Sequence, residues 1–391
     1  MSLPRIAVVY RGVFQYDALN AFAEALAAGF DALGLQTVLL DTKNDVQGSR
    51  TRLGELLTRP ERIAFILGPG GILADATVGG QNLHDRFNVP YVALLVDHPS
   101  YLLMRLAKAR NALITCVDRS HVRFLKAIGF PRAAYVPHAA SLPESLKPWE
   151  ERSPAIAFAA SSNDDRALLA HVLADLAPPQ RAILADLAAD PALATLDQAE
   201  AAARAHPAAE KLGWGEGYDA SLILFLNEVD RVLRSIRRNR IVSGLDAAGI
   251  PVDLFGRGWD RFAFRHHRVH PSLPFAELCE ELQGYRMALH LNPLFGHGLH
   301  ERICAATVAG CAVVTDGNPE IAAVYPDGEA AIHFSPAAPG WAEALAGRLQ
   351  RTDLAAVAQA GRRITARGHT WTHRAAEILA LVDATWPDRV P

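Results

Sequence analysis

The chain has 391 residues, of which 50% are hydrophobic and 21% charged, the balance of a folded globular protein and not of a disordered one. At roughly 150 residues per domain, two domains are expected. The formal net charge of −3 gives no bulk attraction to nucleic acid or to an anionic membrane, so any basic site has to be local.

The first half reads as strands alternating with helices. Apolar runs at 6–10, 37–40, 63–67, 90–96, 112–117 and 134–137 read as strands. Residues 16–33 carry apolar side chains at helical spacing, and Gly34 ends that segment. Nearly continuous apolar strands of this kind belong in a parallel sheet covered on both faces. The polar, proline-interrupted stretch 144–154 reads as a linker, and 155–160 opens a second sheet. Residues 164–249, rich in Ala, Leu, Glu and Arg, read as a long helical insert. Strand character returns at 252–255, 287–291 and 312–315, and 362–382 reads as a terminal helix. The expected architecture is α/β, with two Rossmann-like doubly wound domains facing a cleft. Its parts are a first domain over 1–148, a second over 155–365 carrying the insert 164–249, and a closing helix in 366–391 that packs back toward the first domain.

The segment from Asn292 to Asp316 carries the strongest chemical signal. A strand leads into a loop with Gly296 and Gly298, a helix starts near Leu299 and stops at Gly310, and a further strand ends at Asp316. A helix N-terminus attracts anions through its free N–H groups and dipole. Arg302 in the first turn suits a bidentate phosphate contact, Gly298 allows backbone to approach it, and Glu301 suits ribose hydroxyls. The plainer use of the same pair is dipole support by Glu301 and an ion pair for Arg302. In Phe255-Gly256-Arg257-Gly258-Trp259, a strand's carboxyl end offers Arg257 to a diphosphate, with the glycines letting backbone close on a nucleotide. A tight turn with Arg257 in solvent is the alternative.

Asp97 and His98 close a buried strand, and Asp17 follows the first strand. These positions suit a general base that deprotonates an acceptor hydroxyl. Their structural uses are a helix cap for Asp97 and a satisfied core position for His98. His266, His267 and His270, flanked by Arg265 and Arg268, read as a solvated loop and not as metal ligands. The basic run Arg234-Ser-Ile-Arg-Arg-Asn-Arg240 reads as the solvated face of a helix.

Several of these strings occur together. Asp253-Leu-Phe-Gly-Arg-Gly-Trp259 is followed by His300-Glu-Arg302, Ala305-Ala306, Ala309-Gly310, Val314-Thr-Asp316, Asn318-Pro-Glu-Ile321 and Asp327-Gly-Glu329. With them the segment 252–334 resembles the C-terminal domain of GT-B glycosyltransferases, in the branch typified by spore-maturation-type proteins with a group 1 domain. Weaker likeness lies in His369-Thr-Trp371 with Arg374, in Asp97-His-Pro99 and in Asp118-Arg-Ser-His121. In that family the helix after the loop grips the nucleotide-sugar diphosphate. The resemblance together with the charge pattern therefore gives Gly256, Arg257, Asn292, His297, Gly298, Glu301, Arg302 and Asp316 as donor-binding residues. Retaining members of the wider group carry two glutamates across this loop and helix; here His297 and Ala305 stand at those positions, so the stereochemistry stays open.

The expected activity is sugar transfer from a nucleoside diphosphate sugar to a hydroxyl on a glycan, protein or small molecule. It is expected to need no metal and no cofactor, since no D-x-D occurs, and to involve no nucleic acid. Alternatives are an epimerase of the same fold and a non-catalytic sugar-binding or scaffold protein. The four cysteines, Cys116, Cys279, Cys304 and Cys311, form no C-x-x-C pair, and no apolar run approaches the ~18 residues of a spanning helix. Without a signal-peptide pattern at the start, a cytoplasmic protein with no transmembrane segment is expected.

Overall fold

The structure, a computed structural model, describes residues 5–215 and 217–389. The first four residues of the expected first domain, Glu216 of the insert and the last two residues of the closing segment lie outside the described residues. Contacts divide the chain into two units, one of Met1–Ser141, Pro274–Ala276 and Arg367–Pro391, the other of Leu142–Leu273 and Glu277–Ala366.

The first unit is built on a six-stranded parallel sheet in the order Gln36–Asp41, Ile6–Arg11, Ile63–Pro69, Tyr91–Leu95, Ala112–Cys116, Ala133–Tyr135. Its central strands are apolar and β-branched, and they are buried along their length because helices cover both faces. Phe22, Leu26 and Phe30, spaced four apart on helix Ala18–Ala32, present one apolar stripe to this core. Trp371, Ala375, Ile378 and Val382 of helix Trp371–Thr385 complete it. The two helices approach closely at Gly29, where an added Cβ would lie 2.7 Å from that of Ala375.

The single terminal helix expected at 362–382 is two helices, Leu354–Gly368 and Trp371–Thr385. Thr370, extended at φ −102° and ψ 160°, separates them. The first helix belongs to the second unit, and the break lets the next one join the core of the first.

The second unit has its own six-stranded parallel sheet, ordered Arg268–His270, Val252–Phe255, Ser153–Ala159, Tyr285–His290, Ala312–Thr315, Ile332–His333. Its first strand starts at Ser153, inside the stretch read as linker. The insert folds as helices Asp165–Asp175, Pro178–Ala189, Leu196–Ala205 and Ala220–Ala247 around a core that includes Ile183, Leu187, Ala199, Phe225 and Val229. The histidine-rich stretch is not a solvated loop. Arg268–His270 is an edge strand, His267 is buried with Nε2 2.8 Å from the Val242 carbonyl, and His270 stacks on Phe255 at 4.7 Å. The reason is Asp253, a buried carboxylate that receives a forked pair from Arg268 at 2.7 and 2.8 Å and a hydrogen bond from the Tyr285 hydroxyl at 2.8 Å. Among the described residues no helix is long and apolar enough to cross a membrane.

Candidate active site

The strand order of the second sheet reverses between Ser153–Ala159 and Tyr285–His290, the place where doubly wound sheets bind ligands. Arg302, in the first turn of helix Glu301–Val308, donates from Nη1 to the Ala159 carbonyl at 3.1 Å. Arg238, from helix Ala220–Ala247, donates to the carbonyl of Ser161 two residues further on. Arg234, one turn earlier, is held by Asp230 at 2.7 and 2.9 Å. Between them sits His300, the buried N-cap of the first-turn helix, whose Nδ1 lies 3.3 Å from the Arg302 amide and 2.9 Å from Glu301 Oε2. Burial first, then the charges of Arg302, Arg234 and Arg238, hold the His300 pKa well below the usual imidazole value. The ring is therefore neutral.

Behind His300, at 5.5 Å between ring centroids, lies His290, fully buried and held neutral mainly by that burial. Its Nδ1 is 2.9 Å from Thr315 Oγ1, which already accepts from the Gly317 amide at 3.0 Å. The other ring nitrogen of His290, Nε2, is buried with no hydrogen-bond partner. Three guanidiniums and a helix N-terminus at a switch point make an anion-binding arrangement.

The basic run is therefore not a solvated face. Arg234, Arg237 and Arg238 stand at i, i+3 and i+4 on one face of their helix, and only Arg240 of the run's outer end is exposed. Arg237 donates to Asp316 Oδ2 at 2.9 and 3.1 Å and to the Leu193 carbonyl at 3.0 Å. The spacing was visible in the sequence; the direction of the face was not.

Several expected donor ligands turn out to build the site. The Asp316 carboxylate is fully buried, with burial raising its pKa against the Arg237 charge, and its Oδ1 accepts from the Asn292 amide at 2.7 Å. Asn292 knits its own loop through Phe295, donating to its carbonyl at 2.8 Å and accepting from its amide at 3.2 Å. The Gly298 carbonyl accepts from Asn318 Nδ2 at 2.9 Å. His297 is half-buried in the same loop, and the loop is tied to the insert where Leu294, at φ 63°, accepts from the Leu196 amide at 2.9 Å. The glycines of the Phe255–Trp259 string pack directly against protein backbone. A Cβ at Gly256 would lie 2.1 Å from the Ala160 carbonyl oxygen, and one at Gly258, where φ is +81°, 2.4 Å from that of Ser162. Arg257 is exposed beside them, its amide donating to Ser161 Oγ at 3.1 Å.

In the first unit, Tyr16 and Asp17 both adopt left-handed φ, 56° and 58°. That strain lies where the strand order reverses, between Ile6–Arg11 and Ile63–Pro69. The exposed Asp17 carboxylate accepts from Asn20 Nδ2 at 2.6 Å, and Asn20 is fixed by reciprocal 2.9 Å bonds with the Gly12 backbone. Asp97 is exposed after strand Tyr91–Leu95. The capping expected of Asp97 is done by His98, whose Nδ1 is 2.6 Å from Ser100 Oγ and accepts from the Ser100 amide at 3.4 Å. Its buried ring packs on His121 at 4.7 Å and Phe124 at 4.8 Å, a core position for His98.

Residues 234–380 match the protein-family model described as glycosyl transferase-like. That segment is similar to glycosyl transferase-like domains. The matched segment opens at Arg234 and takes in Arg237, Arg238, His290, His300 and Arg302. An α-glucosyltransferase in complex with UDP and a 13-mer DNA containing an HMU base superimposes with a TM-score of 0.55 at 10% identity, over 97% of this chain and 99% of that one. AviGT4, a glycosyltransferase involved in avilamycin A biosynthesis, gives 0.53 at 12% identity, over 98% of both chains. T4 phage BGT in complex with its UDP-glucose substrate gives 0.52 at 8% identity, over 98% of both. These likenesses establish the GT-B fold. No curated protein matches the chain. The matched segment has no carboxylate at the two positions compared above with the glutamates of retaining glycosyltransferases, His297 and the buried Ala305. Among the described residues no group of three or more His, Cys, Asp or Glu is placed to hold a metal ion.

Proposed function

We propose that this chain transfers a sugar from a nucleoside diphosphate sugar to an acceptor hydroxyl. The observation that carries the reading is the anion site of Arg302, Arg238 and Arg234 around a helix N-terminus. As the bond from the anomeric carbon to the diphosphate oxygen breaks, negative charge grows on the leaving group. Prepositioned guanidiniums stabilise it without reorganisation, and in this reading they take the role that a divalent metal plays elsewhere. Arg257, at the neighbouring strand end, is a further phosphate contact, and Glu301 takes the ribose. Asp17 is the proposed base: its carboxylate is exposed and its strained backbone stands at the first unit's own switch point. Asp97 is the second candidate.

The test is a turnover assay that follows nucleoside diphosphate release from a panel of nucleotide sugars. Acceptors are glycans, peptides, small alcohols and, because the α-glucosyltransferase holds DNA, a duplex with an HMU base. Acceptor-dependent release that drops on the order of 10²–10⁴-fold in Asp17→Asn and collapses in Arg302→Ala supports the reading. Conversion of the nucleotide sugar without any acceptor favours an epimerase, and binding without turnover a sugar-binding protein.

A further inference from the structure

On the first unit, exposed apolar side chains gather at the carboxyl end of the sheet. Val13 is 75% exposed, Tyr101 46% and Met104 84%. Val13 follows strand Ile6–Arg11, and the other two lie in the segment after strand Tyr91–Leu95. The Gly70-Gly71 turn brings these loops side by side. A Cβ on Gly70 would lie 3.7 Å from the Phe14 ring, and one on Gly71 would lie 3.5 Å from Leu106 and 4.0 Å from Arg105. Within Tyr101-Leu-Leu-Met-Arg-Leu-Ala-Lys-Ala-Arg110, Leu106 is buried as the anchor, while Arg105, Lys108 and Arg110 are exposed.

Those three cations have no carboxylate partner among the described residues. Asp85 accepts from the backbone amides of Asn111 and Arg110 at 2.8 and 3.4 Å. A chain of net charge −3 thus concentrates unpaired positive charge beside its most exposed apolar residues. Nucleic acid would use the cations but leave Met104 and Val13 in water. A lipid headgroup layer uses both, placing cations on phosphate, a tyrosine at the interface and aliphatic side chains at the acyl boundary.

We propose that this surface docks the protein on an anionic lipid bilayer, with Val13, Tyr101 and Met104 entering the headgroup boundary and Arg105, Lys108 and Arg110 on lipid phosphates. The docking is independent of the transferase reading; if both hold, the acceptor is met at a membrane surface.

The test is co-sedimentation of the full chain, without nucleotide, with vesicles of phosphatidylglycerol and phosphatidylcholine or of phosphatidylcholine alone. Binding to the anionic vesicles only is expected, with release at high salt. Lys108→Ala should weaken it about fivefold, since each cation near an anionic surface is worth about 1 kcal/mol. Met104→Asp should abolish it with the circular dichroism spectrum unchanged, and Met104→Leu should restore it. A chain left in the supernatant with anionic vesicles, equal binding to neutral ones, or full binding by Met104→Asp would overturn the proposal. Nucleoside diphosphate binding by the same samples reports separately on the donor site.

Discussion

Arg237 and Asp316 show how a residue can serve a site without touching its ligand. Their bond is almost wholly buried, with side chains 12% and 0% exposed. Breaking such a pair leaves an uncompensated charge, at a cost of about 3–5 kcal/mol. Asp316→Ala is expected to lower the urea midpoint accordingly and to weaken donor binding, because Asn292 loses its amide acceptor and the loop before His300 slackens. Asp316→Asn, which keeps the shape, should recover part of both. His84 gives a pH test. It is fully buried, with burial pushing its pKa down to about 4, and Nε2 is 3.0 Å from the carbonyl of Leu73, itself at φ 60°. In the unfolded chain a histidine takes up its proton near pH 6.5; in the fold this one does so only near 4. Stability is therefore complete above about pH 6.5 and falls as pH drops toward 4, by up to about 3 kcal/mol from this residue. His290 and His300 act in the same direction. Urea unfolding at pH 7.5 and pH 5 measures the slope, and His84→Gln should flatten it.

At the scale of elements, the sequence made the framework legible where one physical signal dominates. The strands at 252–255 and 312–315 have the observed boundaries, because short apolar runs between glycines and polar loops admit little else. The insert was legible as helices. Its basic run was misread, since charge alone suggests solvent while the three-and-four spacing of Arg234, Arg237 and Arg238 points to a shared face whose target only the fold supplies. The histidine stretch was misread for a related reason: its edge strand exists to satisfy Asp253, a partner fifteen residues from Arg268. The glycines around Arg257 were found, but not what they approach. Gly256→Ala sets a methyl group 2.1 Å from a backbone oxygen, which only a backbone shift relieves. We expect a loss of about 1–3 kcal/mol by urea unfolding and weaker donor binding, as the Ser161 carbonyl that orients Arg238 moves.

At the scale of the whole molecule, two doubly wound units each place their functional candidates at their own switch points, and the chain returns to the first unit only at its end. Trp371 packs on Phe22 at 4.8 Å and closes the first core. Trp371→Ala should cost that unit about 3–5 kcal/mol. In a thermal melt the loss should appear in the first unit's transition, while nucleoside diphosphate binding by the second unit persists below it. The GT-B fold narrows the chemistry, but the fold alone does not assign it; the arginine cluster is what carries the proposal of a diphosphate donor. The most direct test is calorimetric titration of the wild-type chain and Arg238→Ala with UDP and the other nucleoside diphosphates. One diphosphate is expected to bind the wild type, and Arg238→Ala, in the helix that closes the insert, is expected to weaken it at least about tenfold, the loss of a charge-assisted hydrogen bond. Equal affinity in the two proteins, or no binding of any nucleoside diphosphate to the wild type, would contradict the proposal.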